Sequence, residues 1–84
     1  MTLEEAIKIL KNDFSNDIEP VRCWESENCY VFEVDFKGDA VKFIGIFSSI
    51  FVVWKDNGNC YPLGMMNEFP PEGAGMPIKE YELK

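Results

Sequence analysis

The first periodicity along the chain is helical. Leu3, Ala6, Ile7, Leu10 and Phe14 recur at the i, i+3, i+4, i+7 and i+11 spacing that places apolar side chains on one stripe of an α-helix. Thr2 stands where an N-cap belongs and Glu5 follows it at the right interval for a capping box, in which each side chain satisfies a backbone N–H that the first turn leaves free. Lys8, Lys11 and Asn12 fall on the opposite side, and Ser15-Asn16-Asp17 ends the element, because short polar side chains compete for backbone hydrogen bonds.

The period then changes to two. Pro20 opens an extended segment that runs to Glu25, Ser26-Glu27-Asn28 turns the chain, and Cys29 to Lys37 alternates. Tyr30, Phe32, Val34 and Phe36 point one way and Val31, Glu33, Asp35 and Lys37 the other, as a half-buried strand requires. Lys37-Gly38-Asp39 predicts a turn. Lys42 to Phe47 and Ile50 to Lys55 are rich in β-branched and aromatic residues with a break at Ser48-Ser49, and both predict strands. Asn57-Gly58 predicts a two-residue type I′ hairpin, since both positions must take positive φ and these residues tolerate it. That register sets Trp54 opposite Tyr61. Beyond Leu63 the residues Gly64, Pro70, Pro71, Gly73, Gly75 and Pro77 interrupt every regular pattern, which predicts an arm containing a flexible bend at Gly73-Ala74-Gly75. Ile78 to Lys84 closes the chain as a short strand or a helical turn.

This order predicts a single α+β domain over 1–84. Residues 1–63 form an N-terminal helix packed on a four- to five-stranded antiparallel sheet, 64–77 an irregular Pro/Gly-rich C-terminal arm, and 78–84 a closing segment. One helix covers one sheet face, yet the central segments are apolar on both: Ile50, Val52 and Trp54 on one side, Phe51 and Val53 on the other. The second face needs a cover. The arm, through Met65, Met66, Phe69 and Met76, is one candidate, a second copy forming a homodimer is another, and a foreign partner is the third. Phe51 and Val53 are the candidates for self-association.

Charge narrows the partners. Fifteen acidic against 8 basic residues give a net charge of −7, a field that repels phosphate backbones and attracts basic surfaces, so direct nucleic-acid binding is not expected. At 46% hydrophobic and 14% aromatic residues the chain has enough apolar surface to fold, although a chain this short buries only about 60 to 65% of the surface exposed when unfolded. The longest uncharged stretch, Phe43 to Trp54, is shorter than the roughly 18 to 20 residues that span a bilayer. No membrane segment is predicted. Cys23, Cys29 and Cys60 are odd in number and form no Cys-x-x-Cys pair, and the N-terminal Glu4 and Glu5 stand where a secretory signal carries basic residues. A reducing, cytoplasmic location is the expectation.

The candidate chemistry is sparse. The sequence contains no histidine, so the Ser-His and Cys-His pairs that activate nucleophiles are absent. Glu33 and Asp35 share a strand face as ordinary solvated acids do, and Cys23 has only Arg22 beside it to lower its pKa, so the chain reads as no enzyme and as carrying no cofactor. Asp13, Ser15 and Asp17 imitate the start of a calcium loop, but Ile18 stands where glycine is needed and Trp24 where a bidentate glutamate belongs. The three cysteines are read as small apolar filler rather than metal ligands. What remains is an aromatic and acidic surface, Trp24, Glu25, Glu27, Glu33 and Asp35, suited to arginine or lysine on a basic protein.

The stretch from Ser49 through Trp54-Lys55-Asp56-Asn57-Gly58 to Leu63-Gly64 resembles the YrhB-like family of small bacterial toxin-immunity proteins. In that family an N-terminal helix and an aromatic strand precede an apolar strand ending in Lys-Asp, a glycine turn and a Leu-Gly exit; Ala6 to Leu10 and Tyr30-Val31-Phe32 occupy the first two places, and Pro77-Ile78-Lys79-Glu80-Tyr81 looks like the closing segment. The resemblance implies a binding role, the neutralising of a basic toxin by covering its active surface. The reading is a small acidic non-enzymatic protein-binding module, an immunity or inhibitory protein that covers a basic partner. The alternatives are a homo-oligomeric accessory protein of a mobile element and an acidic nucleic-acid mimic.

Overall fold

A computed structural model describes residues 1–13, 18–36, 50–63 and 70–83 of the chain. The helix α1, Leu3–Asp13, begins at the predicted cap. The Glu5 N–H donates to Thr2 Oγ1 at 3.2 Å, and the Thr2 hydroxyl donates to Glu5 Oε1 at 3.2 Å. The Glu5 carboxylate thus closes the box on the Thr2 hydroxyl. Ala6 and Leu10 are buried, with Leu3, Ile7 and Ile9 packed beside them, so the apolar stripe faces the sheet as its spacing requires. Phe14 and the polar cluster at 15–17 lie outside the described residues.

Five strands follow: β1 (Ile18–Ser26), β2 (Cys29–Phe36), β3 (Ile50–Trp54), β4 (Cys60–Pro62) and β5 (Pro77–Glu82). They form one antiparallel sheet in the order β4-β3-β2-β1-β5. The α+β architecture expected from the sequence is therefore present, and the closing segment is a strand that returns to pair with β1 at the sheet edge. The predicted strand at 42–47 and the turns around it lie outside the described residues.

Alternation assigns the side chains. On the helix side, Ile18, Cys23, Tyr30, Phe32, Val34, Phe51 and Val53 form one cluster with Ala6 and Leu10, and Phe32 and Phe51 are its largest fully buried members. On the other side, Cys29, Val31, Val52, Leu63 and Ala74 form a second cluster, flanked by Trp24, Ile50 and Trp54. β1 absorbs a bulge between Pro20 and Arg22, a normal response where proline cannot donate to the ladder.

Three expectations change. Phe51 and Val53 are 0% exposed and packed beneath α1, so they supply core and not an outer apolar surface. The second face receives Ala74 of the arm, 2% exposed, whereas Met76 is 69% exposed; Met65, Met66 and Phe69 lie outside the described residues. The Gly73-Ala74-Gly75 segment is a fixed buckle. Gly73 and Gly75 take φ of 89° and 82°, values that glycine adopts without steric cost, and Asn28 N–H donates to the Ala74 carbonyl at 2.9 Å while Asn28 Nδ2 donates to the Gly73 carbonyl at 2.8 Å.

The β3–β4 hairpin also departs from its predicted register. Val53 pairs with Cys60 and Val52 with Tyr61, because only Gly58 takes positive φ, 71°, and a type I′ loop needs two such residues. Asn57 instead uses its side chain, with Oδ1 accepting from the Asn59 N–H at 2.9 Å, and the Gly58 N–H donates to the Trp54 carbonyl at 2.9 Å. The shift is by two positions, so Tyr61 keeps the face of Trp54. The two still meet diagonally, Trp54 Nε1 donating to the Tyr61 hydroxyl at 2.9 Å.

Candidate protein-binding site

The five acidic and aromatic candidates divide among three places. Glu25 lies on the helix side of β1, directly across from Tyr30. Lys55 Nζ donates to Glu25 Oε2 at 2.6 Å and the Tyr81 hydroxyl donates to Oε1 at 2.9 Å, while the same ammonium sits 4.8 Å from the centre of the Tyr30 ring. The hydrogen bond from Lys55 holds the Glu25 carboxyl below the usual carboxylate range, helped by Tyr81 and opposed by burial. Burial, then the Glu25 charge, pushes the Tyr30 hydroxyl up to about 12. With Glu25 and Lys55 side chains only 14% and 19% exposed, this carboxylate joins β1, β5 and the β3–β4 loop from within. It is a structural brace.

Glu27 serves the arm. Its N–H donates to the Met76 carbonyl at 3.0 Å, and the Met76 N–H donates back to Glu27 Oε1 at 2.8 Å. The β1–β2 turn therefore holds the buckle through both Glu27 and Asn28.

Trp24, Glu33 and Asp35 remain, and all three lie on the arm-side face. In register, Trp24 stands across from Val31 on one side and Glu80 on the other, and Arg22 stands between Glu33 and Glu82. The Arg22 guanidinium lies 5.8 Å from the centre of the Trp24 ring, a cation–π distance. Beside Trp24 a mainly apolar pocket of about 310 Å³ opens, lined in part by Val31, Pro70, Pro77, Ile78 and Glu80. Ile78 is 57% exposed. An exposed isoleucine next to a half-buried tryptophan and two prolines is an apolar spot with charged residues of both signs, Glu80, Lys79 and Arg22, at its rim, a composition that favours a protein contact.

The sequence leaves β5 open between a short strand and a helical turn. Ile78, Glu80 and Glu82 alternate with Lys79 and Tyr81, a period-two signal that was present but too short to separate a strand from a helical turn. In sequence Arg22 is a neighbour of Cys23, and its place between two glutamates depends on long-range pairing.

The three cysteines are free thiols. Cys23 and Cys29 are 0% exposed and on opposite faces, and burial pushes the Cys23 and Cys60 thiols up to about 12. Among the described residues no helix is long and apolar enough to cross a membrane. Comparison with protein families, with curated proteins and with solved structures finds no match.

Proposed function

We propose that the protein is an acidic, non-enzymatic binding module of the immunity or inhibitory kind, working in a reducing compartment and covering a basic protein partner with the arm-side face of β5, β1 and β2. One observation carries this reading: the apolar pocket beside Trp24 is set in a face that bears four acids, Glu33, Asp35, Glu80 and Glu82, against the one base Arg22 standing among them. An apolar anchor point gives a bound partner its residence time, and a surrounding excess of charge of one sign speeds encounter with the opposite sign. The net charge of −7 extends the same preference over the whole surface. Histidine is absent from the sequence and the thiols are held protonated, which supports binding over catalysis.

The test is capture of partners by immobilised protein, compared with Glu33→Lys/Asp35→Lys and with Trp24→Ala. A basic protein retained by wild type, with association that slows on adding salt and is weakened by the charge reversal at unchanged fold, supports the reading. Capture that is indifferent to both variants overturns it.

A further inference from the structure

The outer edge of β5 carries a polarity that its position makes consequential. The Leu83 N–H donates inward to the Val21 carbonyl at 3.0 Å. Backbone groups alternate sides along a strand, so Tyr81 and Lys79 also turn their N–H and C=O toward β1. Glu80 and Glu82 turn theirs outward, and the regular ladder ends at Ile78, where the register slips from Glu25 opposite Lys79 to Ser26 opposite Pro77. β5 ends the sheet, and among the described residues no strand pairs with this edge; Ile78, Lys79, Glu80 and Glu82 are exposed. The other sheet edge is β4, which is short and ends in Pro62, so it is poorly suited to receive a strand.

The side chains of Glu82 and Glu80 continue the rows of the arm-side face. Across β2, β1 and β5 one row reads Glu33, Arg22, Glu82, and the next reads Val31, Trp24, Glu80. The first row alternates acid, base, acid, and the place beyond Glu82 is complementary to a base; the place beyond Glu80 is likewise next to an acid. Near Ile78 the row becomes apolar and opens on the pocket formed with Pro70, Pro77 and Trp24.

We propose, resting on the binding role argued above, that β5 receives an extended segment of the basic partner as a sixth, antiparallel strand. Its residues facing Glu82, Glu80 and Ile78 are, from N- to C-terminus, basic, basic and apolar at alternate positions. Main-chain bonds to the outward groups of Glu80 and Glu82 hold the strand, and the alternating side chains, the last of them entering the pocket beside Ile78, select it. A second copy of this chain does not fit as well. Self-pairing centred on Lys79 or Glu80 places identical charges opposite each other, and centring on Tyr81 opposes Glu80 with Glu82, in molecules that each carry −7; like charges directly opposite destabilise a pair.

The probe is a short capped peptide with arginine, arginine and leucine at alternate positions separated by threonine, titrated into isotopically labelled protein at low ionic strength. Three comparison peptides accompany it: one with glutamate for arginine, one with the order of the alternate residues reversed, and one N-methylated on the amides that would face β5. Binding by the first peptide alone is expected, with shifted and exchange-protected amides at Glu80 and Glu82 and an affinity roughly tenfold weaker for Glu80→Lys/Glu82→Lys. Equal binding of the N-methylated peptide overturns strand addition. Equal binding of the glutamate or the reversed peptide overturns the stated order of side chains, and no binding, or dimerisation of the free protein through β5, overturns the proposal altogether. Glu33- and Asp35-dependent capture of a basic protein, measured separately, still holds or fails on its own, so the two readings are distinguishable.

Discussion

Glu25 and Lys55, 30 positions apart in sequence, meet at 2.6 Å on the helix side of the sheet, and the same carboxylate accepts from Tyr81. One side chain thereby ties an interior strand, a hairpin loop and an edge strand. Glu25→Gln keeps the size of the group but removes the charge that Lys55 and Tyr81 address. A charge-assisted hydrogen bond is worth about 1.5 to 3 kcal/mol, so a loss of about 1 to 2 kcal/mol is expected for this partly shielded pair, read as a lower urea midpoint at unchanged slope. A change within a few tenths of a kcal/mol would show that the brace carries no stability.

The same pair gives stability a pH dependence of defined sign. The folded Glu25 pKa lies below its ordinary value of 4.5, so the unfolded chain takes up a proton first as pH falls. The contribution of Glu25 is therefore complete above about 4.5 and is lost as pH falls through the lowered folded value. Subtracting the Glu25→Gln curve from the wild-type curve isolates it. A difference that stays constant from neutrality down through the acid limb would mean that Lys55 does not depress this carboxyl.

Gly75 and Gly73 separate steric crowding from backbone strain. Both have positive φ, but a Cβ on Gly75 would stand 2.9 Å from Glu27 Cβ, whereas one on Gly73 would meet the Trp54 ring at an ordinary 3.8 Å. Left-handed backbone costs an alanine roughly 1 to 2 kcal/mol, and this alone applies to Gly73→Ala. Gly75→Ala adds the close contact and displaces the turn that bonds Met76. Hydrogen exchange is expected to accelerate more at the Glu27, Asn28 and Met76 amides in Gly75→Ala than in Gly73→Ala. Equal acceleration would assign the whole effect to φ.

The sequence was most legible where a local pattern had a single physical solution. The stripe from Leu3 to Leu10 and the alternation from Tyr30 to Val34 decided which side chains share a face, although not which sheet face the helix covers, and the capping pair Thr2 and Glu5 marked the helix start within a turn. Gly58 shows where legibility stops: Asn57-Gly58 is a strong hairpin signal, yet the Asn57 side chain bonds the Asn59 N–H and the loop lengthens. The site was legible in kind and not in membership. Glu25 and Glu27 look like Glu33 in sequence, but Lys55 and Met76, brought from distant positions, draw the first two into the fold, while β5 adds Ile78, Glu80 and Glu82 to the face that Trp24 shares.

Phe51 provides the sharpest check of which sheet face the helix covers. If Phe51 lay on an outer surface, Phe51→Glu would change the state of association and leave the fold intact. It is instead 0% exposed among Phe32, Leu10 and Val53, where a carboxylate has neither solvent nor a partner. Truncating a buried phenylalanine to alanine costs about 3 to 5 kcal/mol, a large part of the total for a domain of this size. Phe51→Ala is therefore expected to lower the melting temperature strongly, and Phe51→Glu to abolish the cooperative transition. Ile78→Glu, on exposed β5, is expected to leave the transition nearly unchanged, since solvated surface substitutions usually fall within about 0.5 kcal/mol. Circular dichroism melts of the three variants decide it: a cooperative, wild-type-like transition in Phe51→Glu would place that residue outside the core and reverse the assignment of the two faces.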